Sequence, residues 1–196
     1  MKKAEKDDKT RWIIYSVYVT LKGSPKNRNM KTIIIYTTSH GCTEKAVKEL
    51  TQKLSGEIKS IDLRHQSTPP LTEFDRIIIG GSIHAGQIQK RVSAFCTDNM
   101  ETLRTKEIGL FICCMYEPEI AREQIKNAFP EELHQMAKTE AIFGGEYNFE
   151  KMNFIEKMLV KKIARVRENV SNLDLSSIDR FATRMEKTYY PFMFLV

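Results

Sequence analysis

Between a β-branched run and a helical one, the residues Thr37-Thr38-Ser39-His40-Gly41-Cys42-Thr43 gather four hydroxyls, an imidazole, a glycine and a thiol. The run before them, Ile33-Ile34-Ile35-Tyr36, is short, continuous and apolar, which reads as a parallel strand buried on both faces. After them Ala46, Val47, Leu50 and Leu54 recur at helical spacing, and Thr43 is the expected N-cap. A helix N-terminus offers unpaired N–H groups and the positive end of a dipole, so a phosphate there is held by backbone as well as by hydroxyls. The pattern predicts a phosphorylated ligand at this turn. The alternative is an ordinary Ser/Thr-rich strand-to-helix turn, because short motifs often match by chance.

Commoner phosphate chemistries do not fit these residues. The stretch lacks GxxxxGK[ST] and GxGxxG. A phospho-acceptor site would need acids at the end of the first strand to hold magnesium, and Ile33 to Tyr36 supplies none. What remains is a neutral hydroxyl cradle without lysine, suited to a phosphate that is held and not transferred.

A second stretch repeats the design: Phe74-Asp75-Arg76-Ile77-Ile78-Ile79-Gly80-Gly81-Ser82-Ile83-His84-Ala85-Gly86 is a buried strand ending in glycines and small residues. In open α/β sheets ligands bind beyond the carboxyl ends of strands where the strand order switches, so the two loops should meet over one site. Gly80, Gly81 and Gly86 are expected to let backbone approach a flat ligand, with Ile83 and His84 against its face. A lone histidine is also compatible with a surface or structural role.

Together YTTSHGCTEKA and FDRIIIGGSIHAG resemble the flavodoxin-like fold, and more closely the bacterial menaquinone-dependent protoporphyrinogen IX dehydrogenases. The matching positions are Thr37, Thr38, Gly41 and Thr43, then Gly80, Ser82, Ile83 and Gly86. The resemblance extends over about residues 30–188. It departs at Ser39-His40, where the family carries a charged pair, at Cys42, where it carries a polar residue, and at His84-Ala85, where it carries a basic and an aromatic residue. It implies an α/β three-layer sandwich with a five-stranded parallel sheet of order 2-1-3-4-5, and FMN as cofactor. It places the phosphate on Thr37, Thr38, Ser39, His40, Gly41, Cys42 and Thr43, and the ring on Ser82, Ile83, His84, Ala85, Gly86 and Tyr116. It implies a porphyrinogen substrate, a quinone acceptor and a role in heme biosynthesis. A flavodoxin-type electron carrier, or a non-catalytic interaction module of the same fold, are the alternatives. No side chain stands out as a general base.

Composition narrows the class further. The 196 residues suffice for a packed core, and the expected organisation is an extension over 1–29 followed by one domain over 30–196. Cys42, Cys96, Cys113 and Cys114 show no metal-ligand spacing, so no metal site is expected. Cys42 alone stands at a helix N-terminus, where a thiol pKa can fall; packing beside the phosphate is the other role for it. Residues 1–29 hold eight basic and three acidic side chains, and so account for most of the +6 formal charge. The remaining chain is near neutral, which excludes a general nucleic-acid binder.

The rest of the basicity lies in an insertion near 148–170, where Met152, Ile155, Leu159, Ile163 and Val166 oppose Lys157, Lys161 and Arg165. This amphipathic helix either packs on the domain or lies on an anionic membrane surface through residues 151–167. The expected location is the cytoplasm, with peripheral attachment to the membrane as an option. The extension, with ten uncharged residues from Trp12 to Leu21, is too short to span a bilayer as a helix and reads as a dispensable arm or an added edge strand. The apolar tail Tyr189 to Val196 suits docking on the domain, on another subunit or on lipid.

The remaining elements alternate. Strands are expected at Ile58 to Leu63, Glu107 to Cys114 and Lys138 to Tyr147. Helices are expected at Val92 to Leu103, at Ile120 to Met136 with a break at Pro130, and at Ser176 to Lys187 with a serine near the cap. The third ligand loop is then Cys114-Met115-Tyr116-Glu117-Pro118.

Overall fold

The computed structural model describes residues 30–163 and 168–187. The expectations for the extension 1–29, for the tail 189–196 and for Arg165, Val166 and Arg167 lie outside these residues. So do those for the side chains of Leu159, Lys161 and Ile163.

Three strands are sequestered from water on both faces: β1 (Lys31–Thr37), β3 (Arg76–His84) and β5 (Glu107–Cys113). With β2 (Glu57–Asp62) and β6 (Ala137–Ile142) they form a parallel sheet of order β2-β1-β3-β5-β6. This is the expected 2-1-3-4-5 order; the numbering shifts because the two-residue β4 (Gln87–Ile88) folds back antiparallel on β3. In the turn between them Ala85 and Gly86 both have positive φ, 47° and 81°, as primed two-residue hairpin turns require.

The period of two sends alternate residues of each strand to opposite layers. Ile33, Ile35, Ile77, Ile79, Leu110 and Ile112 share one core with α2 (Lys90–Asp98), α4 (Pro118–Ala128) and α5 (Glu131–Met136). Ile34, Ile78 and Phe111 share the other with α1 (Cys42–Lys53) and α7 (Leu175–Glu186). Register places Ile33, Ile34 and Ile35 beside Ile77, Ile78 and Ile79, so the layers stay aligned across the switch point. Burying one such side chain contributes about 1.5–3 kcal/mol.

Two glycines serve this packing and not a ligand, against expectation. A Cβ on Gly80 would lie 2.3 Å from the Phe111 ring, which stacks on Phe143 with centroids 4.7 Å apart. A Cβ on Gly81 would lie 2.6 Å from Gln89 Oε1 and 3.2 Å from Ile88.

Element ends differ from expectation in four places. The expected helix Val92 to Leu103 is two helices, α2 and α3 (Met100–Leu103), divided at Asn99, whose amide donates to Phe95 O at 2.8 Å. The cap of α7 is Asp174, not a serine: its Oδ1 accepts from Ser177 N at 2.9 Å. The expected fifth strand divides at Gly144, whose φ of 72° turns the chain out of the sheet, so that β7 (Gly144–Tyr147) pairs antiparallel with β8 (Val170–Leu173). Finally, on α6 (Phe154–Ile163) Phe154 is 80%, Ile155 69% and Met158 56% exposed, and among the described residues of the expected apolar face Met152, ahead of the helix, is buried. The packed-helix alternative therefore fails for Ile155.

At the end of the sheet opposite these loops, Arg76 is buried and fully engaged. It donates to Glu107 Oε1 at 2.7 Å, to Glu186 Oε1 at 2.9 Å and to the Met185 carbonyl at 2.7 Å. Glu186 also accepts from Ser55, so the ends of α1 and α7 are joined to β3 and β5. Burial alone would raise the Glu186 carboxyl, but the bonds from Ser55 and Arg76 outweigh it and hold the pKa below its ordinary value. The stability contributed by this depressed pKa is complete above the unfolded value, about 4.3, and is lost as pH falls through the folded one. Glu186→Gln is expected to lower the urea midpoint at pH 7, and the gap from the parent should close on acidification below about pH 4. A gap that stays constant over that range would show that this carboxylate is not linked to folding.

Candidate functional site

The first loop is built by a side chain that caps a glycine. Thr38 Oγ1 accepts from Gly41 N at 3.0 Å, and Gly41, with φ of 92°, is the N-cap of α1. Thr43 is therefore the second residue of the helix and not its cap: the left-handed position falls on the one residue without a Cβ penalty. The helix begins with Lys45 N donating to Gly41 O at 3.1 Å. The amides of Cys42, Thr43 and Glu44 have no carbonyl one turn back to receive them. Below them, Thr37 Oγ1 and Thr43 Oγ1 are buried without a hydrogen bond of ordinary geometry, Thr43 having only the weak Cys113 thiol beside it. Unpaired buried hydroxyls cost about 1–3 kcal/mol each, so they are expected where a ligand completes the bonding.

The second loop reaches the first through an edge contact of His40 and His84, whose centroids are 5.5 Å apart. Ser82 Oγ meets His84 Nε2 at 3.1 Å and accepts from the Gln89 amide, which joins the loop to α2. Beneath these loops lies a cleft of about 290 Å³. Thr38, His40 and Cys42 line it from the first loop, Ser82, Ile83, His84 and Ala85 from the second, and Tyr116 from the third. Of the other expected residues, Thr37 and Thr43 are buried under the turn, Ser39 faces solvent, Gly41 is the cap and Gly86 the hairpin turn.

Cys114 and Met115 of the expected third loop also line the cleft, while further lining residues carried no sequence expectation as ligand contacts: Cys113 at the end of β5, Gly145, Glu146 and Tyr147 on β7, and Met152 and Val160 beyond it. The doublet Gly144-Gly145 was the available signal. A Cβ on Gly145 would lie 2.6 Å from Met115 Cγ and 2.7 Å from the Cys114 carbonyl carbon, so β7 reaches the cleft only because this residue has no side chain. Glu146 is paired with Lys45 at 2.7 Å. Burial pushes the Tyr147 phenol up, keeping it a neutral donor. The thiols of Cys42 and Cys113 bond to each other, which lowers the first and, with burial, raises the second well above its usual value. Cys96 is pushed up to about 12 by burial and is inert. A lysine does reach the first loop, contrary to expectation: a Cβ on Gly41 would lie 2.8 Å from Lys151 Nζ.

Fold and site together define an α/β protein whose ligand cleft lies at the switch point between β1 and β3, the place where flavodoxins hold FMN. The family Flavodoxin_5, a flavodoxin domain, matches residues 33–174, and the chain belongs to it. No curated protein sequence matches. Among solved structures, the two-electron reduced flavodoxin of Megasphaera elsdenii is 15% identical with TM-score 0.49, covering 78% of this chain and 98% of its own. A flavodoxin from the Archaea is 13% identical with TM-score 0.45, covering 80% and 96%. A Fusobacterium nucleatum flavodoxin mutant bound to flavin mononucleotide is 16% identical with TM-score 0.38, covering 57% and 68%. The buried hydroxyls of Thr37 and Thr43, the open amides of α1 and a cleft with Tyr116 and Tyr147 at its walls fit a flavin phosphate and ring.

The unpaired hydroxyl yields a test with opposite signs. Thr43→Val should leave the thermal midpoint of the ligand-free protein unchanged or raised, because a methyl replaces a buried hydroxyl whose one partner is a weak thiol. It should weaken FMN binding about tenfold. Loss of ligand-free stability with unchanged FMN affinity would assign Thr43 to the fold alone.

Proposed function

We propose that this protein binds FMN and works as an oxidoreductase that takes electrons from a protoporphyrinogen-class substrate and passes them to a quinone. The observation that carries the FMN part is the meeting of the β1 and β3 loops over a cleft above the first turn of α1. The phosphate sits on the α1 amides with Thr38 and Thr43. Ile83, His84, Ala85 and Tyr116 border the ring. When bound, FMN supplies the hydride and electron chemistry, and the protein positions it and excludes water.

The substrate class rests on the resemblance of the two loops and on the insertion. Met152 and Val160 carry the insertion to the cleft, while Phe154, Ile155 and Met158 face solvent on α6 together with Lys162. Exposed apolar residues beside basic ones suit a surface where a lipid-soluble acceptor resides. Among the described residues no helix is long and apolar enough to cross a membrane, so this contact is interfacial. The reading includes peripheral attachment at the cytoplasmic face.

Anaerobic mixing of the FMN-loaded protein with protoporphyrinogen IX and a soluble menaquinone analogue is the decisive measurement. Quinone-dependent porphyrin fluorescence with flavin bleaching and recovery is the expected result. Bound flavin that the porphyrinogen cannot reduce would leave FMN binding in place and favour an electron carrier. In flotation with anionic liposomes, the parent should float and Phe154→Ser, Ile155→Ser should not; equal flotation would remove the membrane from the proposal.

A further inference from the structure

The Lys151 ammonium has the wrong sign for its position. It lies against Gly41 at the N-terminus of α1, where the helix dipole and the open amides already present partial positive charge. Lys151 is exposed, so water solvates it, but its charge gains nothing from the amides, and an anion between the two would turn that repulsion into attraction. Among the described residues Lys151 makes no ion pair. The nearby carboxylate of Glu146 is taken by Lys45 at 2.7 Å, and Glu44 in the first turn of α1 forms no bridge with Lys151.

Nor does the lysine arrive there by the drift of a long side chain alone. Asn148 organises a turn in which its Oδ1 accepts from Glu150 N at 3.1 Å and its carbonyl accepts from Lys151 N at 3.1 Å. Phe149 N donates to Asn169 Oδ1 at 2.8 Å, fixing that turn to the start of β8. The next residue, Met152, is 7% exposed and lines the cleft, so the backbone of Lys151 is held on both sides. The same loop holds the buried hydroxyls of Thr37, without a hydrogen-bond partner, and of Thr43, with only the weak Cys113 thiol beside it. Open amides, under-bonded hydroxyls and an ammonium thus meet at one loop, a donor set suited to an anion.

We propose that Lys151 is the counter-cation of the cofactor phosphate. It reads the phosphate group specifically and couples the 148–153 segment to the first loop when the cofactor binds. The inference rests on the FMN reading and deepens it. It assigns phosphate recognition to a residue more than one hundred positions from the hydroxyl cradle, and makes the insertion part of the cofactor site.

The test compares FMN with riboflavin, which shares the ring and lacks the phosphate. Dissociation constants would be measured by flavin fluorescence quenching for the parent, Lys151→Gln and Lys151→Arg at low and high salt. The expected result is about a tenfold or greater loss of FMN affinity in Lys151→Gln, as for loss of a charge-assisted bond. Riboflavin affinity should be unchanged, the salt dependence of FMN binding should be reduced, and Lys151→Arg should recover most of the loss. Unchanged FMN affinity in Lys151→Gln, or an equal loss for riboflavin, would overturn the assignment while leaving FMN binding intact. A parent protein that binds neither flavin would overturn the FMN reading itself and this inference with it.

Discussion

The double-sided burial of β1, β3 and β5 governs everything else in this molecule. A strand covered on both faces has no place for a polar side chain along its length, and Ile33 to Ile35, Ile77 to Ile79 and Leu110 to Ile112 are all closed to water. Polar residues are confined to the two ends. At one end Arg76 and Lys138 neutralise Glu107 and Glu186 and tie the helices to the sheet. At the other the chain breaks into hydroxyls, histidines and small residues, and because the strands are parallel all three loops emerge on the same side. The chemistry sits where the burial rule stops applying.

The first loop leaves hydrogen-bonding groups open at the start of α1. Thr38 spends its side chain on Gly41, which leaves Thr43 inside the helix with its hydroxyl buried and only the weak Cys113 thiol beside it. The His40 and His84 rings bring the second loop against the first, and Gln89 fixes Ser82 from α2. The free thiols of Cys42 and Cys113 at the floor hydrogen-bond to each other, so Cys42 is not an isolated thiol.

The segment after β6 distinguishes this chain from a bare five-stranded sandwich. Gly144 turns it out of the sheet, Gly145 lets it pass close to Cys114, and Glu146 is held by Lys45 of α1. It then supplies Met152 and Val160 to the cleft, and Lys151 to the first loop, before α6 exposes Phe154, Ile155 and Met158. One excursion thus contributes a wall, a charge and an external apolar surface.

What the sequence determined by itself is local and periodic. The isoleucine runs, the hydroxyl turn, Gly80-Gly81 and the helical spacing of Ala46, Val47 and Leu50 announced the strands, the first two loops and α1, because burial and turn conformation act on neighbouring residues. The order of the strands came through resemblance, since spacing does not encode it. Only the tertiary structure decided that Gly80 makes room for Phe111, that the fifth strand divides at Gly144, that Asp174 caps α7 and that Ile155 faces water. Above all it decided that a lysine far along the chain stands over a loop that holds none. Contacts of this kind depend on where the chain returns, and a charge acts through space on whatever the fold places beside it.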